Sequence, residues 1–378
     1  MIMTVSTISA VKTMLDFITE KQSSWDFLKN TELPIFIYGM GDGALKIMSA
    51  FEKYGIPVAG FFASDEFVRG HYFEGHLVHK LSHIEDLIDD FVVVLAFAAG
   101  YKSLYDRIFE ISEKHILLAP DVPVIPDGSG ELFTYEYCLR YADEIQSVYD
   151  MLADDMSRKV FAYVINFKIS GKIDYLDRCT TDRGEIYRDI LKLHEDSVFV
   201  DLGAYDGDTV LDFAFAASDG YKKIYALEPD KRNFRKLTKN TSDMANICTF
   251  NAAAWSESTT LRFMQKAGRQ SAAARLRDIA ENGVETAALA VDDIVPEGEK
   301  HVIIKLDTEG SEAEALNGAA RTIAEGAELE CALYHRNEDM FSLPLLVHKL
   351  DPKLKLYIRH HLYLPAWETN LYAAYPEK

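Results

Sequence analysis

Short apolar runs alternate with stretches of helical spacing along this chain, and the alternation divides it into parts. Val11, Met14, Leu15 and Ile18 fall three and four residues apart, which predicts an opening helix or two within residues 8 to 29. Pro34 to Tyr38 predicts a strand that runs into GMGDGA, Gly39 to Ala44, and then into a helix through Tyr54. A second strand, Val58 to Phe62, reaches Asp65. Ser82 and Glu85 have the spacing of a capping box, which predicts a helix containing Leu87 and Ile88. Phe91 to Phe97 and Ile116 to Leu118 supply two more strands, so residues 30 to 122 read as a small βαβ domain.

Pro120, Pro123 and Pro126, with Gly128 and Gly130, mark a linker. Residues 131 to 195 read as helical, with Ile145, Val148, Tyr149 and Leu152 on one stripe and Tyr135, Tyr137 and Tyr141 as packing residues. From Val198 the βα alternation is regular. Strands are expected at 198 to 201, 224 to 227, Ile247 to Ala253, Val302 to Asp307 and Glu330 to Tyr334, with a helix from Ser311 to Ala324. Lys353 to Arg359 and Thr369 to Ala374 read as a closing hairpin. The expected division is 1–125, a Rossmann-like domain; 126–195, a helical linker or cover; and 196–378, an α/β domain of five parallel strands with a terminal antiparallel hairpin. That last pattern is the class I methyltransferase arrangement.

The chemistry concentrates in VFVDLGAYDGDT, Val198 to Thr209. An apolar strand ends in Asp201, Gly203 and Gly207 frame a turn, and Asp208 and Thr209 open a helix. Glu228 follows Gly207 by twenty-one residues at the end of the second strand, where dinucleotide-type folds grip ribose hydroxyls. The plainer reading is a strand–turn–helix whose acids cap helices; the placement of Glu228 favours a nucleoside site. Asp201, Asp206 and Asp208 would repel a pyrophosphate and suit a cation. S-adenosylmethionine, a sulfonium with an ammonium group, therefore fits better than NAD. GMGDGA with Asp65 is a second glycine turn, similar to domains that bind nucleotide-sugars or NAD; a working nucleotide site and a relict scaffold for subunit contacts are both open.

Charge and composition narrow the partners. A formal net charge of -20 over 378 residues argues against nucleic acid and anionic membranes. Cys138, Cys179, Cys248 and Cys331 have no paired spacing, which fits a reducing compartment and no structural zinc. The longest apolar run, Phe91 to Ala99, is too short to span a bilayer, and Asp16 and Glu20 are foreign to a signal peptide. A cytoplasmic protein is expected, for which a homodimer is open. His71, His76, His79 and His83 with Glu74 invite a metal, but Gly75 and the capping box break any common face, so no metal site is expected.

VFVDLGAYDGDT, YALEPD, FNAAAW, AVDDIV and IIKLDTEGSEAEALNGA occur in the order seen in the FkbM family, and LYIRHH with ETNLYA closes the chain in similar fashion. Over about its final half the chain thus resembles S-adenosylmethionine-dependent O-methyltransferases. The resemblance implies a methyltransferase acting on a hydroxyl of a sugar, glycan or secondary metabolite. It places Asp201, Gly203, Ala204, Gly207, Asp208 and Thr209 in the cofactor turn, Glu228 and Pro229 at the ribose, and Asn251 and Ala252 near the adenine. Asp307 and Glu309 fall at the active-site tip of strand four. The family often has Asn after the Gly-Ala of the turn, where this chain has Tyr205 and Asp206.

An alcohol attacks the sulfonium methyl well only when a base takes its proton, a contribution of about 10²–10⁴-fold. His335 fits that role by its ordinary near-neutral pKa; Asp307 is the alternative, as base, metal ligand or substrate clamp, and Glu309, which opens the helix after strand four, is either a third catalytic candidate or a partner of the helix dipole. Lys305, on an apolar strand, is expected to pair with a nearby carboxylate. His360 and His361, with Arg359, either line the acceptor pocket or lie on the surface, and Asp292 and Asp293 read as turn caps. Two other classes of function stand beside methyl transfer: a non-catalytic nucleotide or nucleotide-sugar binding protein, and an NAD-linked sugar-modifying enzyme using GMGDGA.

Overall fold

The computed structural model describes residues 14–125, 131–218, 220–263 and 284–376. Val11 with the start of the expected opening helix, and Pro126, Gly128 and Gly130 of the linker, lie outside the described residues. In the N-terminal part, β1 (Ile35–Tyr38), β2 (Gly60–Ala63), β3 (Tyr72–Phe73), β4 (His76–Lys80), β5 (Val92–Leu95) and β6 (Ile116–Leu118) form a six-stranded sheet in the order β3-β4-β2-β1-β5-β6. β1, β2 and β5 are buried at every residue, which is why they read as unbroken apolar runs.

Two local expectations for this part change. Among the described residues of the opening segment, helix is formed over Ser24–Asn30, capped by the Ser23 hydroxyl, which accepts from the Asp26 N–H. Residues 18–23 are not helical, because the N–H groups of Thr19 and Glu20 go to the buried Asn166 side chain at 2.8 and 2.9 Å. The capping box also fails. The helix Leu81–Glu85 already contains Ser82, whose hydroxyl donates to Asp65, and it ends before Leu87 and Ile88.

The C-terminal sheet contains β7 (Val198–Leu202), β8 (Lys223–Leu227), β9 (Ile247–Phe250), β13 (Val302–Leu306), β14 (Glu328–Ala332), β15 (Lys355–His360) and β16 (Thr369–Ala374). Its order is β15-β16-β14-β13-β7-β8-β9, five parallel strands closed by an antiparallel pair, with Val198 opposite both Val302 and Lys223. The expected third strand breaks at Asn251: its second half, β10 (Ala252–Ala254), joins β11 (Thr259–Phe263) and β12 (Val284–Leu289) in a separate three-stranded sheet. The helix expected from Ser311 to Ala324 is two, Glu312–Asn317 and Ala320–Ala324. It breaks at Gly318, where a Cβ would lie 2.0 Å from the Trp255 carbonyl oxygen. Asp292 caps the second piece, accepting from the N–H groups of Arg321 and Thr322.

Between the sheets lie the helices Tyr135–Arg140, Ala142–Met151, Asp155–Ser170 and Asp174–Cys179 and a π-helical turn, Ile186–Ile190. One apolar core runs from Phe36 and Tyr38 through Ile145, Val148 and Phe161 of this cover to Val200 and Ile304. Backbone pairing ties the parts together: Ala99 with Leu364, Thr180 with His360, and the Ile125 N–H with the His335 carbonyl. Among the described residues no helix is long and apolar enough to cross a membrane.

Candidate active site

The carboxyl ends of β7, β8, β13 and β14 open into a crevice of about 380 Å³, the place where open α/β sheets receive ligands. At one end the chain leaves β7 through Gly203, whose φ of +90° is a left-handed conformation. A Cβ on Gly203 would lie 2.0 Å from the Asp307 carbonyl oxygen, so this glycine lets the first turn lie against the tip of β13. Glu228, beyond the end of β8, accepts from the N–H groups of Tyr205 and Asp230 at 2.9 and 2.8 Å. Burial raises its pKa to about 7, against the pull of those two donors.

The floor is a buried ion pair. Lys305 on β13 reaches Asp201 at 3.3 Å and Asp307 at 3.8 Å. Burial would strip the ammonium of its proton, and these carboxylates hold it charged instead; Thr209 donates a hydrogen bond to the other oxygen of Asp201. The pairing expected for Lys305 is therefore present, and it pins the ends of β7 and β13 to one another.

The opposite corner gathers carboxylates around one imidazole. His335 is 1 % exposed, with Nε2 3.3 Å from Asp307 and 3.6 Å from Glu309 and Nδ1 2.9 Å from the buried Glu312. Glu312 also accepts from the N–H groups of Thr308 and Gly310. Burial alone would lower the His335 pKa; Glu312 first, then Asp307 and Glu309, raise it to about 10. The expectation of a near-neutral imidazole free to act as the base is thereby corrected: this ring is an imidazolium at neutral pH. The Tyr334 hydroxyl donates to Asp307 at 3.2 Å.

Of the residues named from the sequence, Gly203, Asp208, Thr209, Glu228, Pro229, Asp307 and Glu309 line the crevice. Asp201 and Ala204 lie buried beneath it, and Gly207 packs on Leu237 and Thr241. Asn251 and Ala252 do not reach it: the Asn251 amide donates to the carbonyls of Glu228 and Pro229, and Ala253 and Ala254 form the wall in their place. Arg183, Glu330, Glu368 and Asn370 also line the crevice. Arg183 bridges Glu368 at 3.0 Å and Glu330 at 3.9 Å, a juxtaposition no local motif announces. His360 and His361 are buried and bonded to Thr369 and to Tyr372, so they belong to the hairpin core and not to the pocket or the surface.

In the N-terminal sheet the glycine turn is filled by the protein itself. A Cβ on Gly39 would lie 2.7 Å from the Phe97 ring, and one on Gly43 2.3 Å from the Ala96 carbonyl oxygen. Asp65 lies in a separate cavity of about 350 Å³ with Tyr38, Ser64 and Arg107. Among the described residues, His71, His76, His79 and His83 form no group of metal-ligand geometry.

A Rossmann-like sheet of this order, with an acid-lined crevice at its strand tips and a carboxylate after the second strand, defines a class I methyltransferase. Residues 201–345 match the family described as the methyltransferase FkbM domain. Methyltransferases of this family draw the methyl group from S-adenosylmethionine. Among solved structures the chain is similar to the methyltransferase FkbM from Methylobacillus flagellatus KT, at 19% identity and a TM-score of 0.71, over 97% of this chain and 98% of that one. That likeness extends the shared fold to the N-terminal part. An rRNA methylase from Streptococcus thermophilus (17% identity, 51% of this chain and 94% of that one, TM-score 0.33) and M. jannaschii TYW2 in complex with AdoMet (16% identity, 51% and 76%, TM-score 0.31) are also similar. Comparison with curated proteins finds no match.

Proposed function

We propose that this protein is an O-methyltransferase for a hydroxyl of a sugar, glycan or secondary metabolite. The observation that carries this is the union, in one crevice, of Glu228 at one end with Asp307 and Glu309 at the other. S-adenosylmethionine supplies an already activated methyl group, so the chain's own residues bind, align and remove a proton. Glu228 would hold the ribose hydroxyls, with Ala253 and Ala254 against the base and Asp208 and Thr209 toward the methionine end. The acids that line the crevice suit a sulfonium. Asp307 and Glu309 reach the crevice and would take the acceptor's proton, while His335, locked behind them, positions both carboxylates. Residues 1–125, 126–195 and 196–378 are assigned as N-terminal domain, cover and catalytic domain. Four free cysteines agree with a cytoplasmic setting.

The test is a screen of hydroxylated acceptors with the purified protein and S-adenosylmethionine, read by mass spectrometry as a gain of one methyl and by release of S-adenosylhomocysteine. Methylation on oxygen supports the proposal. Methylation on nitrogen or carbon, with no oxygen product, would overturn it.

A further inference from the structure

We propose that Arg183 and Glu330 form the subsite for the amino-acid end of the methyl donor, Arg183 taking the donor's carboxylate and Glu330 its ammonium group. This assignment rests on the methyltransferase reading of the crevice. S-adenosylmethionine carries a carboxylate beside its two cationic groups, so a crevice rich in acids must still offer that carboxylate a partner. Among the described residues, Arg183 and Lys305 are the cations that line it. Lys305 is 8 % exposed at its side chain and already engaged by Asp201 at 3.3 Å and Asp307 at 3.8 Å. That leaves Arg183.

The Arg183 side chain is 47 % exposed; its Nη2 donates to Glu368 at 3.0 Å, and among the described residues Nε and Nη1 meet no acceptor. A guanidinium presents its N–H donors in a planar fork that matches a carboxylate with two parallel hydrogen bonds, and most of this fork remains for a ligand. Glu330 is its complement. It lines the crevice at 7 % exposure, yet its partners stand off, the Tyr372 hydroxyl at 3.4 Å and the Arg183 guanidinium at 3.9 Å. Burial pushes its pKa up against the pull of Arg183 and Lys305. A buried carboxylate held this loosely is stabilised by one more cation.

Position along the sheet agrees. Thr209, which opens the helix after the first turn, lines both the crevice and a small recess beside it together with Arg183, Lys305 and Glu330. Lys305 stands opposite Glu330 on β14 and opposite Asp201 on β7, so three charges form one row across neighbouring strands. Glu228 follows β8 and Glu330 lies on β14, three strand spacings apart in the order β14-β13-β7-β8, or about 14 Å. An extended donor with its ribose on Glu228 spans that gap once a hydrogen bond of about 2.9 Å is added at each end. A zwitterion set between a guanidinium and a carboxylate brings no net charge, which leaves the sulfonium to the acids at the tip of β13.

The test is calorimetric titration of the full chain with S-adenosylmethionine, with decarboxylated S-adenosylmethionine, which lacks only the carboxylate, and with 5′-methylthioadenosine, which lacks the whole amino-acid end. Arg183→Gln should weaken S-adenosylmethionine about tenfold to a hundredfold and leave the other two within about threefold. Glu330→Gln should weaken the first two about tenfold and spare 5′-methylthioadenosine. Arg183 is the more exposed of the pair, so its variant keeps the test readable if the buried Glu330 variant does not fold. Arg183→Gln that leaves S-adenosylmethionine unchanged overturns the assignment. So does an equal loss for all three ligands, the mark of a purely structural Arg183–Glu368 contact, or a folded Glu330→Gln that binds S-adenosylmethionine as the wild type does. In each of those cases wild-type binding of the donor stands and the methyltransferase reading with it. Wild-type protein that binds none of the three sinks that reading, and the subsite falls too.

Discussion

Exchanging one oxygen of Glu228 for an amide, Glu228→Gln, isolates the donor end of the crevice. Both carboxylate oxygens already accept a backbone N–H, from Tyr205 and from Asp230, and each keeps a lone pair for a ribose hydroxyl. The amide offers one acceptor, turns an N–H₂ toward one of those backbone donors and removes the charge. A hydrogen bond to a charged group is worth about 1.5–3 kcal/mol, which corresponds to a loss of donor affinity of about tenfold to a hundredfold. The raised pKa of Glu228, about 7, adds a second signature. Its ionised fraction falls from about nine tenths at pH 8 to about one tenth at pH 6, so wild-type affinity should drop roughly tenfold over that range. In the glutamine variant this dependence should vanish. Because the folded-state value lies above the ordinary one, ionising Glu228 costs the free protein stability as pH rises from about 4.5 through about 7, so the variant is not expected to lower Tm at pH 8. Calorimetric titration with S-adenosylhomocysteine at pH 6, 7 and 8 measures all of this. A variant Kd within twofold of wild type at pH 8, or a pH profile that survives the substitution, would refute the ribose role.

Three other outcomes follow from the same geometry. Lys305→Met leaves Asp201 buried without its cation and should cost about 3–5 kcal/mol of stability, read by urea unfolding; a loss under 1 kcal/mol would show that the pair is not holding the strand tips. Gly203→Ala places a Cβ against the Asp307 carbonyl oxygen in a left-handed conformation and should abolish donor binding or folding, whereas Gly41→Ala, with nothing within 4 Å, should do neither; circular dichroism and calorimetry distinguish them. His361 is held neutral, first by burial, with its pKa lowered to about 4. Its contribution to stability is complete above about pH 6.5 and drains as pH falls toward 4, so its nuclear magnetic resonance shifts should stay flat from pH 8 to 5. A midpoint near 6.5 would mean the hairpin is open.

The strands that build the crevice were legible because burial on both faces leaves little but apolar residues, as in Val198 to Val200 and Val302 to Ile304. Glu228 was legible because its distance from the glycine turn is fixed by one helix. The break at Asn251 was not: FNAAAW reads as one strand, and only the neighbouring sheet explains why its alanines leave the ladder. Arg183 and Glu368 meet across 185 residues, a contact made by topology. His335 shows the sharpest limit. Its type suggested a base, but its environment, set by three carboxylates from the loop and helix after β13, decides its charge.

The most direct test is a crystal structure of the protein grown with S-adenosylhomocysteine. The account predicts the adenosyl group in the crevice at the tips of β7, β8 and β13, with its ribose on Glu228 and its base against Ala253 and Ala254. A molecule held elsewhere, in particular at the Asp65 cavity of the N-terminal sheet, or a crevice that stays empty at saturating concentration, would contradict it.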